Sequence, residues 1–131
     1  GTVSFQGEFL SASTAALDDS DPTFTGWYAF GSWFLTGEHR PYKQSSGTFD
    51  RPEPASNFDG EGGVGAWELA VRMSRIDLDD GDIAGGRLDD VTVGLNWYLN
   101  PNFRWMANYV LADLEDAGSS HALLTRFQTD F

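Results

Sequence analysis

Cysteine is absent from the 131 residues. That leaves no disulfide framework, no thiolate metal site and no thiol nucleophile. Basic residues are scarce: eight Lys and Arg stand against twenty Asp and Glu, for a formal net charge of −12. A nucleic-acid partner needs a basic face, so the charge argues against one. No run of about 18 apolar residues occurs, so no transmembrane helix can be drawn. A charged-then-apolar leader is missing too; the chain opens on "GTVSFQGEF", already strand-like. On that ground it reads as a mature protein or, in preference, a fragment. Catalytic constellations are lacking. His39 and His121 sit in or beside loops with no Ser or carboxylate arrangement that forms a triad, and the glycines open no phosphate-cradling helix. The reading is therefore not an enzyme, with no cofactor and no metal.

What is present is alternation. Aromatic residues make up 15% of the chain, with five Trp and ten Phe. Period-two patterning recurs six times, in "TVSFQGEFLSA", "FTGWYAFGSWFLTG", "GAWELAVRMSRIDL", "DDVTVGLNWYLN", "FRWMANYVLAD" and "HALLTRFQTDF". The apolar sets hold Val3, Phe5 and Phe9; Trp27, Ala29, Trp33 and Leu35; Trp67, Leu69, Val71 and Met73; Val91 to Leu99 by twos; Phe103 to Leu111 by twos; and Leu123 to Phe131 by twos. Helical periodicity is not found, so the fold class is all-β and antiparallel. Runs of roughly 10 to 14 residues exceed the usual strand of about 5–6 and match the length a tilted strand needs to cross a bilayer.

Connections differ in kind. "NPN" (Asn100, Pro101, Asn102) is a tight turn by residue type, whereas "STAALDDSDPT", "DDGDIAGGRLD" and "LEDAGSSH" read as longer polar loops. Short turns on one rim and longer loops on the other typify outer-membrane barrels. Trp67, Trp97, Tyr98 and Trp105 lie near strand ends, as aromatic girdles do, and Phe127 joins that set. A soluble β-sandwich or barrel whose Trp residues hold a carbohydrate or apolar ligand uses the same alternation, and period two alone leaves both readings open. A barrel with a blocked lumen and a structural or adhesive role is a third.

The second half carries more. "GAWELAVRMSRIDLDDGDIAGG", "VTVGLNWYLNPNFRWMANYV" and the closing "RFQTDF", with "GSWFLTGEHRPY" upstream, resemble the C-terminal part of phosphate-selective porins O and P. The resemblance runs from about Phe24 to Phe131. It implies a sixteen-stranded, homotrimeric barrel in the outer membrane of a Gram-negative bacterium, passing small solutes or anions such as phosphate by diffusion. Residues 1–131 would then be the C-terminal segment of one barrel domain, its last six strands. The remaining strands lie elsewhere, because bacterial barrels start at about eight. A final strand ending on Phe131 resembles the signal read by the barrel assembly machinery. With Phe131 on the periplasmic side, "NPN" is periplasmic and so is the stretch 39–63, which is long for that rim. The resemblance implies that 39–63 folds into the lumen and narrows it.

Candidate pore residues follow. Arg40, Lys43 and Arg51 hold three of the eight basic side chains within that stretch, where they would attract anions or simply lie in a solvated turn beside Glu38, Asp50, Glu53, Asp59 and Glu61. Arg72, Arg104 and Arg126 fall on the polar sets with Glu68 and Asp130, either lining the solute path or forming structural ion pairs. On the lipid set such charges would cost about 2–4 kcal/mol at mid-depth. The outer loops are acidic: Asp18, Asp19 and Asp21; Asp77, Asp79, Asp80, Asp82, Asp89 and Asp90; Asp113, Glu115 and Asp116. "DLDDGDIAGGRLDD" fails as a calcium loop, having Asp82 at its sixth position and Leu88 at its twelfth. A soluble, repelling face is preferred there over weak divalent binding.

Overall fold

The computed structural model describes all residues except 16–20, 46 and 131, and leaves out the side chains at 43, 48 and 49. Six strands form one antiparallel sheet in the order β1 (Val3–Ser13), β2 (Thr23–Phe34), β5 (Ala66–Asp80), β6 (Ile83–Asn100), β7 (Phe103–Leu114) and β8 (Gly118–Thr129). The sheet is open: β1 and β8 each have a single neighbour. A small hairpin, β3 (Tyr42–Lys43) with β4 (Thr48–Phe49), stands apart from it. The sequence of 39–63 shows no strand pattern, yet it holds this hairpin. Its two-residue arms are too short to show alternation.

Two supposed loops are also strand. "DDGDIAGGRLD" is mostly hairpin, with only Gly81 and Asp82 in the turn and Gly81 at φ 56°. "LEDAGSSH" shrinks to the turn Glu115–Asp116–Ala117 before β8 begins at Gly118. Polar composition suggested loops, but cross-strand ion pairs keep these ends zipped. Arg75 meets Asp89 directly opposite it at 2.6 Å, and Arg87 reaches Glu115 at 3.3 Å.

Pairing preserves parity from one edge to the other: Val3↔Trp33, Trp33↔Leu69, Leu69↔Leu95, Leu95↔Ala107 and Ala107↔Thr125. All six strands therefore put odd-numbered residues on one face and even-numbered residues on the other. The expected facing of Trp67, Val93, Trp105 and Phe127 together is what the register produces. Parity slips only at irregularities near the strand ends, after Asp77 and after Tyr98.

One rim, the lower, carries the 35–65 connection, the Pro101–Asn102 turn, the start of β1 and the end of β8. At the foot of β5, Gly65 has φ +69, and a Cβ there would lie 2.4 Å from the Tyr98 carbonyl oxygen. Gly65→Ala is expected to destabilise the fold by about 1–3 kcal/mol, read as a shift of the urea midpoint against an Ala substitution at Gly31, which has no positive φ and room for a Cβ.

Candidate functional site: two faces and a rim segment

The odd face is an apolar band. From Trp67 to Met73 on β5, Val91 to Trp97 on β6 and Trp105 to Leu111 on β7, its residues carry no charge. Six residue steps span roughly 20 Å at ~3.3 Å each, close to the ~25 Å apolar band of membrane barrels. Charge on this face is confined to the upper end, at Arg75, Asp77, Asp79, Arg87, Asp89 and Asp113. Three polar side chains of the band find local partners. Trp105 Nε1 donates to Thr125 Oγ1 at 2.7 Å, the Tyr109 hydroxyl lies 2.8 Å from His121 Nδ1, and Trp97 Nε1 donates to the Val64 carbonyl at 2.9 Å. Such pairing is what an apolar solvent demands.

The four girdle candidates fall on one row across four strands: Trp67↔Trp97↔Trp105↔Phe127. Trp67 and Trp97 stack at 5.0 Å, and Trp105 lies 6.4 Å from Phe127. The row borders the lower rim, where the band gives way to the 35–65 connection.

Charge runs the length of the even face, on Glu8, Glu68, Arg72, Asp90, Arg104 and Arg126. Arg72 pairs with Asp90 at 3.3 Å and lies over the Tyr28 ring; Ser74 is also hydrogen-bonded to Asp90. Arg104 donates to the neutral Gln128 Oε1 at 2.7 Å and stands over the Tyr98 ring. Arg126 is exposed and has no ion-pair partner among the described residues. Three of the six predicted arginine or lysine sites are thus paired: Arg40, Arg51 and Arg72. Arg104 and Arg126 keep uncompensated charge toward that face, and the Lys43 side chain lies outside the description.

Glu68 departs most from a pore-lining role. Its side chain is 0% exposed. Arg40 donates to Oε1 through Nε at 3.0 Å and Nη2 at 2.5 Å, and Oε2 accepts from Asn96 at 3.0 Å and from the Tyr98 hydroxyl at 2.9 Å. Phe34 and Ala66, buried with Tyr98, complete the enclosure. A buried carboxylate held by four donors is satisfied, where an unpaired one would be strongly destabilising. Tyr98 and Asn96 were missed as partners, since nothing in their spacing separates a ligand of Glu68 from any other polar-set residue.

The stalks of the rim segment are tied together. Thr36 is hydrogen-bonded to Glu38 and accepts from the Trp67 backbone N–H at 3.0 Å, and Glu38 Oε1 accepts from the Ala55 N–H at 3.2 Å. Arg51 reaches across the rim to the Pro101 carbonyl at 2.9 Å and to Asp130 at 3.4 Å. A cleft of about 250 Å³ opens between Arg40, Arg51, Tyr98, Arg104 and Asp130. Beyond it the chain turns on Asp59, whose Oδ1 accepts from the N–H groups of Glu61, Gly62 and Gly63. Those donors, Glu61 foremost, hold the Asp59 carboxyl below its ordinary range. A segment folded into the lumen is expected to pack against the even-numbered set that includes Glu68, Arg72, Asn96 and Arg126; of these, Glu68 binds Arg40 and is also hydrogen-bonded to Asn96. Among the described residues no hydrogen bond or ion pair links the segment to Arg72 or Arg126. Phe131, the expected assembly signal, lies outside the described residues, as do Asp18 and Asp19 of the acidic loops.

No group of three or more metal-ligating side chains is gathered among the described residues, and no helix is long and apolar enough to cross a membrane, which says nothing of strands. Comparison with known proteins agrees with the two-faced sheet. A protein of Caulobacter vibrioides, described as uncharacterized, is 41% identical over 96 residues, covering 73% of this chain and 19% of its own length. Porin O of Pseudomonas aeruginosa is 32% identical over 123 residues, covering 86% of this chain and 27% of its own. The chain thus spans about a fifth to a quarter of the relatives it matches. The family described as phosphate-selective porin O and P matches residues 1–131, end to end, and this chain belongs to it.

Proposed function

We propose that the chain forms the C-terminal strands of an outer-membrane porin of a Gram-negative bacterium, passing small solutes by diffusion with a preference for anions such as phosphate. The observation that carries this is the parity-preserving register. It sets an uncharged band with one aromatic row against a face bearing charge along its whole length. Odd residues then meet lipid and even residues a wet lumen, the arrangement of a spanning barrel. The free edges of β1 and β8 pair with further strands, because an edge left open in a bilayer has unsatisfied backbone groups. A sixteen-stranded barrel, a homotrimer and entry through the barrel assembly machinery are what the family implies for the whole protein. The 35–65 segment narrows the pore from the periplasmic side.

Anion preference resides chiefly in Arg104 and Arg126, since Arg40, Arg51 and Arg72 are neutralised by Glu68, Asp130 and Asp90. In the full-length porin, Arg104→Gln with Arg126→Gln is expected to lower the anion-to-cation permeability ratio several-fold, measured from reversal potentials across planar bilayers. Arg51→Gln should change it far less. Equal ratios in the double variant and the parent would remove these two residues from the solute path. A protein that stays soluble without detergent and forms no channel would return the reading to a soluble binding module.

A further inference from the structure

The rim segment touches both faces of the wall, at neighbouring rungs. On the even face Arg40 enters the Glu68 carboxylate, and Glu68 is paired with Asn96 in the β5–β6 ladder. On the odd face Phe58 stands edge-on to Trp97 with centroids 4.9 Å apart, Trp97 Nε1 holds the Val64 carbonyl, and Trp97 is paired with Trp67. Glu68↔Asn96 and Trp67↔Trp97 are successive rungs of one ladder, and successive rungs point to opposite faces. The two attachments are therefore back to back, about one strand step of ~3.3 Å apart. Between them the chain passes over the rim, where the Phe58 N–H donates to the Leu99 carbonyl at 2.7 Å. The limb around Phe58 thus lies against the odd face, opposite the limb that carries Arg40.

We propose that segment 35–65 is a strap clamped through the wall, and that Glu68 is its positioning residue rather than a charge that solutes meet. The proposal rests on the reading that the segment narrows a pore. A gate hinged at the rim needs one face free. Here, swinging outward pulls Arg40 from Glu68, and swinging inward pulls Phe58 from Trp97. Both attachments sit on regular ladder positions of the two longest strands, so the wall itself offers no give. The constriction is thereby static, and its diameter is set by the clamp.

The test uses the full-length porin in planar bilayers. Glu68→Gln and Arg40→Gln are each expected to raise open-channel current noise several-fold, and together no further, because they break one contact. Phe58→Ala, on the other face, should raise the noise independently and add to either. Arg40→Lys should restore part of the quiet. Trypsin cleavage after Lys43, the basic residue of the segment not followed by proline, should also quicken several-fold in Glu68→Gln and Phe58→Ala, a readout that does not depend on the pore. If Glu68→Gln fails to assemble, Arg40→Gln and Phe58→Ala carry the test, since both lie on the segment and not in the wall. Parent-like noise and cleavage in these variants would overturn the clamp, even where excision of the segment raises conductance. If excision leaves conductance unchanged, the constriction reading falls, and the cleavage rates then decide the clamp on their own.

Discussion

Excising residues 39–63, so that β2 and β5 are joined by a short turn, is expected to raise the single-channel conductance of the full-length porin several-fold. The periplasmic rim of a barrel ordinarily carries short turns, and the neighbouring Pro101–Asn102 connection is one. A connection this long needs a reason, and the Arg40–Glu68 contact places its first limb on the charged face. A chain segment inside a wet channel removes conducting cross-section while keeping its own hydration, so its removal widens the path without exposing apolar surface. Because excision also strips Glu68 of its guanidinium, the comparison is made in a Glu68→Gln background as well. Conductance equal to the parent in both backgrounds would mean that the segment lies outside the path.

Charge placed on the two faces is expected to separate them sharply. Val93 sits midway along the odd band, between Val71 and Tyr109, and its sequence neighbour Thr92 sits on the even face between Arg72 and Val110. Val93→Arg should lower folding stability in lipid vesicles by about 2–4 kcal/mol, the penalty for a cation at the bilayer midplane. Thr92→Arg should leave stability nearly unchanged and alter selectivity instead. Urea titration of the vesicle-inserted protein reads the first effect, and reversal potentials the second. A larger stability loss from Thr92→Arg than from Val93→Arg would reverse the facing of the whole sheet, because one parity runs through all six strands.

Some of this was legible before any coordinates. Alternation marked six strands, and the placement of charge told an apolar face from a charged one; the observed register keeps Trp67, Val93, Trp105 and Phe127 together as that pattern requires. Local pattern carries this information because side-chain direction in a strand depends only on parity. Strand ends were less legible. The acidic stretches around Gly81 and Asp116 have loop composition, yet Arg75–Asp89 and Arg87–Glu115 hold them in the sheet, and an ion pair between strands leaves no mark on either strand alone.

The sequence by itself determined the all-β class, the two-sidedness of each strand, the poverty of cations and the family. It also singled out Arg40 and Glu68, but as separate charges along a path. Only the tertiary structure decided that they meet, that Glu68 is buried, and that, among the described side chains, Arg104 and Arg126 have no ion-pair partner. It alone set four scattered aromatics on one row, since a row across strands depends on register, which is a relation between distant segments. Phe58 had no signal at all: an aromatic in a Gly- and Pro-rich stretch has no period to belong to. Its place beside Trp97, back to back with Glu68, exists because two neighbouring rungs of one ladder face opposite ways.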